Sequence, residues 1–170
     1  LTNTTPKPLL PVAVQPLLVW NLLLLRQYGI QDVMINLHHL GQQIQEYVKD
    51  GSTWGLRVTY SQEPVILGTG GGLKQAEPFF EGQPFLVING DTLVDLNISQ
   101  LAEQHQAQDA LATMVVREDP DVERWGPLEL DATHRIWSIN HRGGVTATKP
   151  PSLVTRMFAG IHILHPSLLQ

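Results

Sequence analysis

The stretch Phe85-Leu86-Val87-Ile88-Asn89-Gly90-Asp91 decides the predicted fold. Its four apolar residues run without a polar interruption, which is typical of a parallel strand that is covered on both faces. The Asn-Gly-Asp sequence after them favours a turn. Ligands of open α/β sheets bind where strands end at their carboxyl side, so Asp91 is the first candidate for a functional residue. A turn residue or helix cap is the plain alternative for Asp91.

Helix and strand signals alternate along the rest of the chain. Pro16 can open a buried, almost wholly apolar helix that Gly29 stops in a left-handed conformation. The apolar centre of Asp32–Leu37 predicts another covered strand. This order predicts one α/β domain over residues 1–170, with a Rossmann-like, doubly wound, mostly parallel mixed sheet in a three-layer α/β/α arrangement. The remaining predicted elements are helices that include Leu40, Gly68 and Ile98 in their first turns, strands at Leu56–Tyr60, Ala110–Val116, Pro127–Leu130, Arg135–Ile139 and Val154–Leu164, and a polar loop of Gly, Thr, Lys and Pro before the last strand.

Composition argues against several classes of protein. The chain has 170 residues, 42% of them hydrophobic, which is enough for a buried core. Its formal net charge is −5 and it has no block of Lys or Arg, which argues against nucleic-acid binding through counterion release. Without cysteine, neither a disulfide framework nor a thiolate zinc site is available. No apolar run reaches the length of a membrane span, and without an N-terminal apolar signal region the expected location is the cytoplasm.

A second candidate lies in the proline-rich segment Pro6-Lys7-Pro8-Leu9-Leu10-Pro11-Val12. Because proline fixes φ, Lys7 is held on stiff backbone between two rings. A fixed ammonium and a fixed carboxylate at a sheet edge suit phosphate chemistry, since a carboxylate can share Mg²⁺ with phosphate oxygens. A solvated lysine in a proline-rich loop is the plain alternative.

The segment around Lys7 resembles the sugar-1-phosphate nucleotidyltransferases, which make nucleotide sugars from a nucleoside triphosphate and release pyrophosphate. In that family a glycine-rich triphosphate loop precedes the segment, and Leu1-Thr2 resembles the last two residues of that loop. The resemblance implies that Lys7 contacts the phosphates and that Asp91 holds Mg²⁺. It also implies that the domain is incomplete, with the glycine loop missing before Leu1 and a second metal carboxylate missing after Gln170.

Glycines dominate the segment Leu67-Gly68-Thr69-Gly70-Gly71-Gly72-Leu73, which follows Glu63-Pro64 and opens a short helix. They let backbone N–H groups approach a ligand, although a flexible loop before a helix is the plain alternative. The family uses the corresponding loop to bind the base and ribose. The glycine run is most similar to the mannose-1-phosphate guanylyltransferase and N-acetylmuramate-1-phosphate uridylyltransferase branches. The resemblance thus implies nucleotide contacts for Glu63, Gly68, Thr69 and Gly70.

Three later segments are compared with the sugar side of the family's site. Trp125-Gly126-Pro127-Leu128-Glu129-Leu130 matches a strand at the sugar pocket, which implies roles for Gly126 and Glu129, with a core strand as the alternative. Phe158-Ala159-Gly160-Ile161 resembles the strand that returns to this pocket, which implies a role for Gly160. Many members carry a Glu-Lys-Pro motif where this chain has Asn140-His141-Arg142-Gly143-Gly144. Arg142 can hold the sugar phosphate there, but arginine is not a silent replacement for lysine.

The resemblance as a whole implies an enzyme that joins a hexose 1-phosphate to the nucleotide of GTP or UTP, with Mg²⁺ as cofactor. Its expected partners are these two substrates, without nucleic acid or membrane, and a homo-oligomer is left open. Two other classes stay open: a non-catalytic nucleotide-sugar-binding or regulatory relative, and a dehydrogenase module that binds NAD. The second is suggested by Gly68-x-Gly70 and Asp91, but the third glycine position of that fingerprint is Leu73.

The adjacent His38 and His39 are a further pair of chemically capable residues. Neighbours on a strand point to opposite sides, and no HExxH spacing or cysteine supports a zinc site. The sequence therefore predicts surface or supporting histidines.

Overall fold

The computed structural model describes residues 4–143 and 148–170. The Leu1-Thr2 pair and residues 144–147 of the predicted polar loop therefore lie outside the described residues. The chain forms two compact units. The first contains Leu1–Thr113 and Ile163–Gln170, and the second contains Met114–His162. The single domain over residues 1–170 stays a prediction.

Helices and strands alternate in the first unit, as the sequence predicts. Its strands are β1 (Pro11–Val12), β2 (Gln15–Pro16), β3 (Asp32–Leu37), β4 (Arg57–Gln62) and β5 (Phe85–Ile88). Its helices are α1 (Leu17–Gln27), α2 (Gly41–Val48), α3 (Gly68–Gln75) and α4 (Ile98–Ala107). Short 3₁₀ helices lie at Lys7–Leu9, Ser52–Trp54, Glu77–Phe80 and Pro166–Leu169.

A parallel strand pair supports the core of the first unit. β3 and β4 pair in register from Asp32 opposite Arg57 to Leu37 opposite Gln62. Apolar side chains of α1, α2, β3 and β4 form one buried cluster on this pair, in which Leu22 and Val48 are almost fully buried. Burial of these side chains is the main favourable contribution to folding of this unit. The unit therefore holds the carboxyl ends of β3 and β4 on a packed base.

A large cavity also lies in the first unit. β3 and β5 are both end strands of their sheets, and both line a space of about 690 Å³ that we call the β3–β5 cavity. Apolar residues of α1, of α3 and of the 3₁₀ helix Glu77–Phe80 complete its walls. The space is thus mainly apolar, and it reaches Asn89 and Gly90 after β5.

Antiparallel strands form most of the second unit. β6 (Ala112–Arg117) leads the chain into it, and β10 (Val154–Leu164) leads the chain out. Between them lie α5 (Val122–Trp125), β7 (Pro127–Leu130), β8 (Ile136–Ile139) and β9 (Arg142–Gly143). β7 pairs with β8 and with β10, β8 pairs with β9, and all three pairs are antiparallel. The predicted α/β class with a mixed sheet is confirmed.

Membrane-spanning helices were not expected from the sequence. Within residues 4–143 and 148–170, no helix is both long and apolar enough to cross a membrane.

Candidate active site

Lys7 begins the 3₁₀ helix that follows Pro6. Pro6 is buried with φ −65°, and its carbonyl accepts a hydrogen bond from the Leu9 N–H at 2.9 Å. The carbonyl of Lys7 accepts another from the Leu10 N–H at 3.0 Å. Because both bonds use backbone atoms, the main chain of Lys7 is fixed while its side chain stays exposed. The stiffness expected from the two prolines is thus reinforced by hydrogen bonds.

Asp91 lies in a tight turn directly after β5. The Thr92 N–H donates to the Asn89 carbonyl at 3.0 Å, which closes the turn around Asp91. Asn21 of α1 holds the turn from the other side, since its Nδ2 donates to the Thr92 carbonyl at 2.9 Å. Asn21 is 4% exposed, and its Oδ1 has no hydrogen-bond partner in the described part of the chain. A buried amide with one unsatisfied atom is costly, so its anchoring of this turn is its evident use.

Pro8 and Gly90 bring the two candidate residues together. A Cβ atom on Gly90 would lie 3.4 Å from Cγ of Pro8, so the two segments approach closely at this point. Lys7 and Asp91 are the chain neighbours of these contact residues. Both line a space of about 480 Å³ that we call the Lys7–Asp91 cleft, together with Pro6, Pro8, Asn36, His38, His39, Ile44 and Gly90.

Glu63 is a buried carboxylate at the end of β4. Its backbone N–H donates to the Leu37 carbonyl at 2.8 Å, which extends the pairing of β3 and β4 by one bond. Its Oε1 accepts from Nδ2 of Asn36 at 2.7 Å, and its Oε2 accepts from the Leu67 N–H at 2.8 Å. The Leu67 N–H, the Asn36 amide and the nearby His38 hold the pKa of Glu63 below its usual value. Glu63 therefore stays ionised and ties the segment before α3 to β3.

The glycines of α3 divide into packed and open positions. A Cβ atom on Gly72 would lie too close to the side-chain ends of Glu63 and Asn36, so a larger residue here would displace the hydrogen bond between them. Added Cβ atoms on Gly68 and Gly70 would meet no atom of the described residues within 4 Å. Glu63, Gly68 and Thr69 line the β3–β5 cavity. The nucleotide contacts assigned to Glu63, Gly68, Thr69 and Gly70 stay a prediction.

The predicted sugar-side residues all belong to the second unit. Glu129 on β7 is half-buried and accepts a short hydrogen bond from the Ser138 hydroxyl of the neighbouring β8. Gly126 precedes β7 with φ +87°, and Gly160 is buried in β10 with φ +82°, conformations that favour glycine. Arg142 is exposed on β9. Their predicted contact with a sugar phosphate is not tested by these positions.

His38 and His39 were not predicted to belong to the site, yet both line the Lys7–Asp91 cleft. The expectation of opposite sides assumed a continuing strand. β3 ends at Leu37, and Leu40 takes the left-handed conformation with φ +54° before α2 begins. The alternation of a strand no longer applies in this turn. A turn predicted at this point would have been the only sequence signal for the placement of both histidines.

The donor set of the Lys7–Asp91 cleft fits one kind of metal site. Across the described ranges, no group of three or more His, Asp or Glu side chains could hold a metal ion unaided. Asp91 supplies one exposed carboxylate. Mg²⁺ keeps several waters and binds through one or two carboxylates plus substrate phosphates, so a single carboxylate beside a lysine fits Mg²⁺ that arrives with a phosphate ligand.

Comparisons with known proteins identify the family of the chain. The profile described as nucleotidyl transferase matches residues 1–141. A UTP–glucose-1-phosphate uridylyltransferase of Synechocystis sp. is 32% identical over 184 residues, covering 100% of this chain and 46% of that protein. An N-acetylmuramate alpha-1-phosphate uridylyltransferase of Neisseria meningitidis is 50% identical over 100 residues, covering 58% of this chain and 43% of that protein.

One solved structure extends the comparison. HddC from Yersinia pseudotuberculosis, complexed with GMP-PN, has a TM-score of 0.77 at 27% identity, covering 97% of this chain and 69% of that chain. The chain spans less than half of the length of the two curated relatives. Because the profile match takes in most of the chain, the chain belongs to the nucleotidyl transferase family.

Proposed function

We propose that the whole protein is a sugar-1-phosphate nucleotidyltransferase, which joins a hexose 1-phosphate to the nucleotide of GTP or UTP and releases pyrophosphate. The observation that carries the proposal is the Lys7–Asp91 cleft, in which an ammonium and a carboxylate on fixed backbone line one space. The names of the two curated relatives support UTP as the first donor to test. We also propose a location in the cytoplasm for the whole protein.

Lys7 is the residue to which we assign stabilisation of the leaving group. An oxygen of the sugar phosphate attacks the α-phosphorus of the triphosphate, and the bond to the pyrophosphate oxygen breaks. Negative charge grows on the departing pyrophosphate, so a preorganised ammonium beside it lowers the barrier. Positioning is the main task of the protein in phosphoryl chemistry, and the hydrogen bonds of the turn hold the backbone of Lys7 in place before a substrate arrives.

Asp91 is the residue that would hold Mg²⁺ in the Lys7–Asp91 cleft. When bound, Mg²⁺ neutralises charge on the triphosphate and on the pyrophosphate that leaves. The carboxylate has to stay at one place for this task. Asn21 helps to hold the turn of Asp91 through its hydrogen bond to the Thr92 carbonyl. The close approach of Pro8 to Gly90 limits movement of the same turn.

We assign the base and ribose to the segment from Glu63 to Gly70. The open space at Gly68 and Gly70 supports this assignment, because a ligand can approach backbone that has no side chain in front of it. Glu63 serves this segment by holding the Leu67 N–H. The sugar phosphate is assigned to Gly126, Glu129, Arg142 and Gly160, with support from the exposed guanidinium of Arg142, which can bind a phosphate through two hydrogen bonds.

Chain outside residues 1–170 completes the site in this proposal. Two observations support this part of the proposal. The chain covers less than half of each curated relative, and the β3–β5 cavity offers room for a further segment. The walls of this cavity include the edges of two end strands, and backbone groups of strand edges normally pair with another strand. A segment before Leu1 that carries a triphosphate loop and pairs with both edges would fill the space.

Pyrophosphate release by the intact protein tests the proposal. Glucose, mannose and N-acetylmuramate 1-phosphates are combined with UTP or GTP in the presence of Mg²⁺. With the pair that turns over, Lys7→Ala and Asp91→Asn should each lower turnover by about 100-fold or more, since each removes one preorganised electrostatic group. Lys49→Ala and Asp95→Asn are the matched controls, because these exposed residues do not line the cleft, and they should keep the wild-type rate.

Three other outcomes have a clear meaning. Wild-type turnover by Lys7→Ala or Asp91→Asn contradicts the roles of these residues. Binding of UTP or GTP without turnover of any pair assigns the protein to the non-catalytic relatives. Binding of NADH in preference to every triphosphate favours the dehydrogenase class.

A further inference from the structure

His38 is held in one orientation by the end of β4. Its Nδ1 lies 2.8 Å from the backbone oxygen of Glu63. A carbonyl oxygen only accepts hydrogen bonds, so Nδ1 of His38 carries the proton. The Glu63 backbone is itself fixed by its bond to Leu37 and by the two hydrogen bonds of its carboxylate. The imidazole is therefore anchored through one nitrogen, and Nε2, which has no hydrogen-bond partner among residues 4–143 and 148–170, is the nitrogen left for a ligand.

The surroundings of His38 favour an anionic ligand. Lys7 from the 3₁₀ helix and His39 from the same turn line the cleft with it, which makes two ionisable nitrogen groups besides His38. The negative groups near His38 are the Asp91 carboxylate in the cleft and the Glu63 carboxylate behind it. Glu63 is already engaged by Asn36 and Leu67, and Asp91 can be shared with a cation. The groups left to contact a ligand directly are thus the Lys7 ammonium and two imidazoles, all of which can donate hydrogen bonds to an anion.

We propose that His38 is a phosphate-contacting residue of the Lys7–Asp91 cleft, donating from Nε2–H to an oxygen of pyrophosphate or of the triphosphate that yields it. The proposal rests on the proposed function, since it concerns the same cleft. A neutral His38 has a lone pair on Nε2 and cannot donate from it, so a phosphate oxygen requires the imidazolium. Binding of the anion therefore favours uptake of a proton by His38.

The simpler role for His38 is an anchor that only ties the turn after β3 to the end of β4. The two nitrogens separate these roles. Asparagine places its amide nitrogen near the position of Nδ1 and can keep the bond to the Glu63 carbonyl, but it has nothing at Nε2. Glutamine places a donor near the position of Nε2 but gives up the anchor. An anchor alone should tolerate His38→Asn, whereas a phosphate contact should tolerate His38→Gln better.

The proposal is tested by calorimetric titration of the intact protein with magnesium pyrophosphate at about pH 7. The titration is repeated in buffers of different ionisation enthalpy, which gives the number of protons taken up on binding. We expect His38→Asn to keep the wild-type melting temperature and to lose the proton uptake. It should bind pyrophosphate about tenfold more weakly, because one charge-assisted hydrogen bond is lost. His38→Gln should bind within about threefold of wild type, without proton uptake and with a lower melting temperature. His165→Asn is the matched control, since His165 lies outside the cleft and binds Ser167 through Nδ1.

Two results overturn the proposal. One is wild-type affinity and wild-type proton uptake in His38→Asn. The other result applies if His38→Asn has a lower melting temperature than wild type. An equal loss of affinity in His38→Asn and His38→Gln then shows that His38 acts as an anchor only. Lys7→Ala, measured in the same way, separates this inference from the proposed function. Weak binding by Lys7→Ala with normal binding by His38→Asn rejects only the role of His38, whereas normal binding by Lys7→Ala rejects the phosphate site itself.

Discussion

Replacing Glu63 tests how the segment before α3 is held. Its buried carboxylate accepts one hydrogen bond from the Asn36 amide at 2.7 Å and one from the Leu67 N–H at 2.8 Å. A hydrogen bond to a charged group contributes about 1.5–3 kcal/mol. Asn36 and Leu67 are themselves exposed, so water can replace part of what is lost. We therefore expect Glu63→Ala to lower the free energy of unfolding by about 3 kcal/mol, the low end for two such bonds.

Glu63→Gln is the matched variant. The glutamine oxygen still accepts from the Leu67 N–H. Asn36 can turn its amide so that its oxygen accepts from the new NH₂ group, which restores the second hydrogen bond. Only the charge of the acceptor is then lost, so the expected loss of unfolding free energy is about 1 kcal/mol.

The same two hydrogen bonds predict a pH dependence. The Leu67 N–H first and the Asn36 amide second lower the pKa of Glu63 in the fold. A carboxyl with a lowered folded pKa stabilises the fold above its unfolded pKa of about 4.3, and this contribution is lost as the pH falls through the folded pKa. The stability difference between wild type and Glu63→Gln should therefore shrink as the pH falls from about 5 to about 3.

Urea unfolding followed by tryptophan fluorescence measures both effects. Glu103→Gln, on the exposed side of α4, is the control and should match wild type near neutral pH. The reasoning is refuted if Glu63→Ala costs no more than Glu63→Gln, or if the difference between wild type and Glu63→Gln stays constant through the acid range.

Three further variants test separate contacts. Gly72→Ala places a Cβ against Glu63 and Asn36 and should lower the free energy of unfolding by about 1–3 kcal/mol. Gly70→Ala meets open space and should be neutral or slightly stabilising. Equal effects of the two variants in urea unfolding would contradict the contact at Gly72. Asn21→Leu removes the hydrogen bond to the Thr92 carbonyl together with a buried oxygen that has no partner among the described residues. The two losses offset each other, so the free energy of unfolding should stay within about 1 kcal/mol of wild type, while pyrophosphate release should slow by about tenfold. Unchanged release would reject the anchoring role of Asn21. Burial against Phe158 lowers the pKa of His162, so the unfolded chain takes up protons first and the fold loses stability as the pH falls below about 6.5. In His162→Phe the melting temperature should therefore fall less with decreasing pH than in wild type. An equal fall in both proteins would contradict a contribution from His162.

Local sequence patterns were sufficient for much of the first unit. The continuous apolar centres of β3 and β5 identify strands, and β3 has the predicted bounds, Asp32–Leu37. The expected covering of both faces is not seen, because these centres are half-buried and line the β3–β5 cavity. Gly29 has φ +76° after α1, as expected of a glycine that ends a helix. These features depend on neighbours in the chain, which is why composition and spacing predict them.

Contacts between distant segments were not predictable in the same way. Asn21 looks like an interruption of an apolar helix, because its partner Thr92 is 71 positions away. The Asn36 partner of Glu63 is 27 positions away, so the sequence offers Glu63 as a ligand contact without any sign that the protein already engages it. The antiparallel pairs of the second unit also depend on register, which short apolar runs do not specify.

Magnetic resonance with a paramagnetic ion tests most directly whether Lys7 and Asp91 serve one phosphate-bound metal. Isotope-labelled intact protein is titrated with pyrophosphate and Mn²⁺ in place of Mg²⁺. The amide signals of Lys7, His38, Gly90 and Asp91 should broaden first, and the effect should disappear in Asp91→Asn. Broadening centred on other residues, or broadening of the same signals that persists in Asp91→Asn, would contradict a metal-phosphate site in the Lys7–Asp91 cleft.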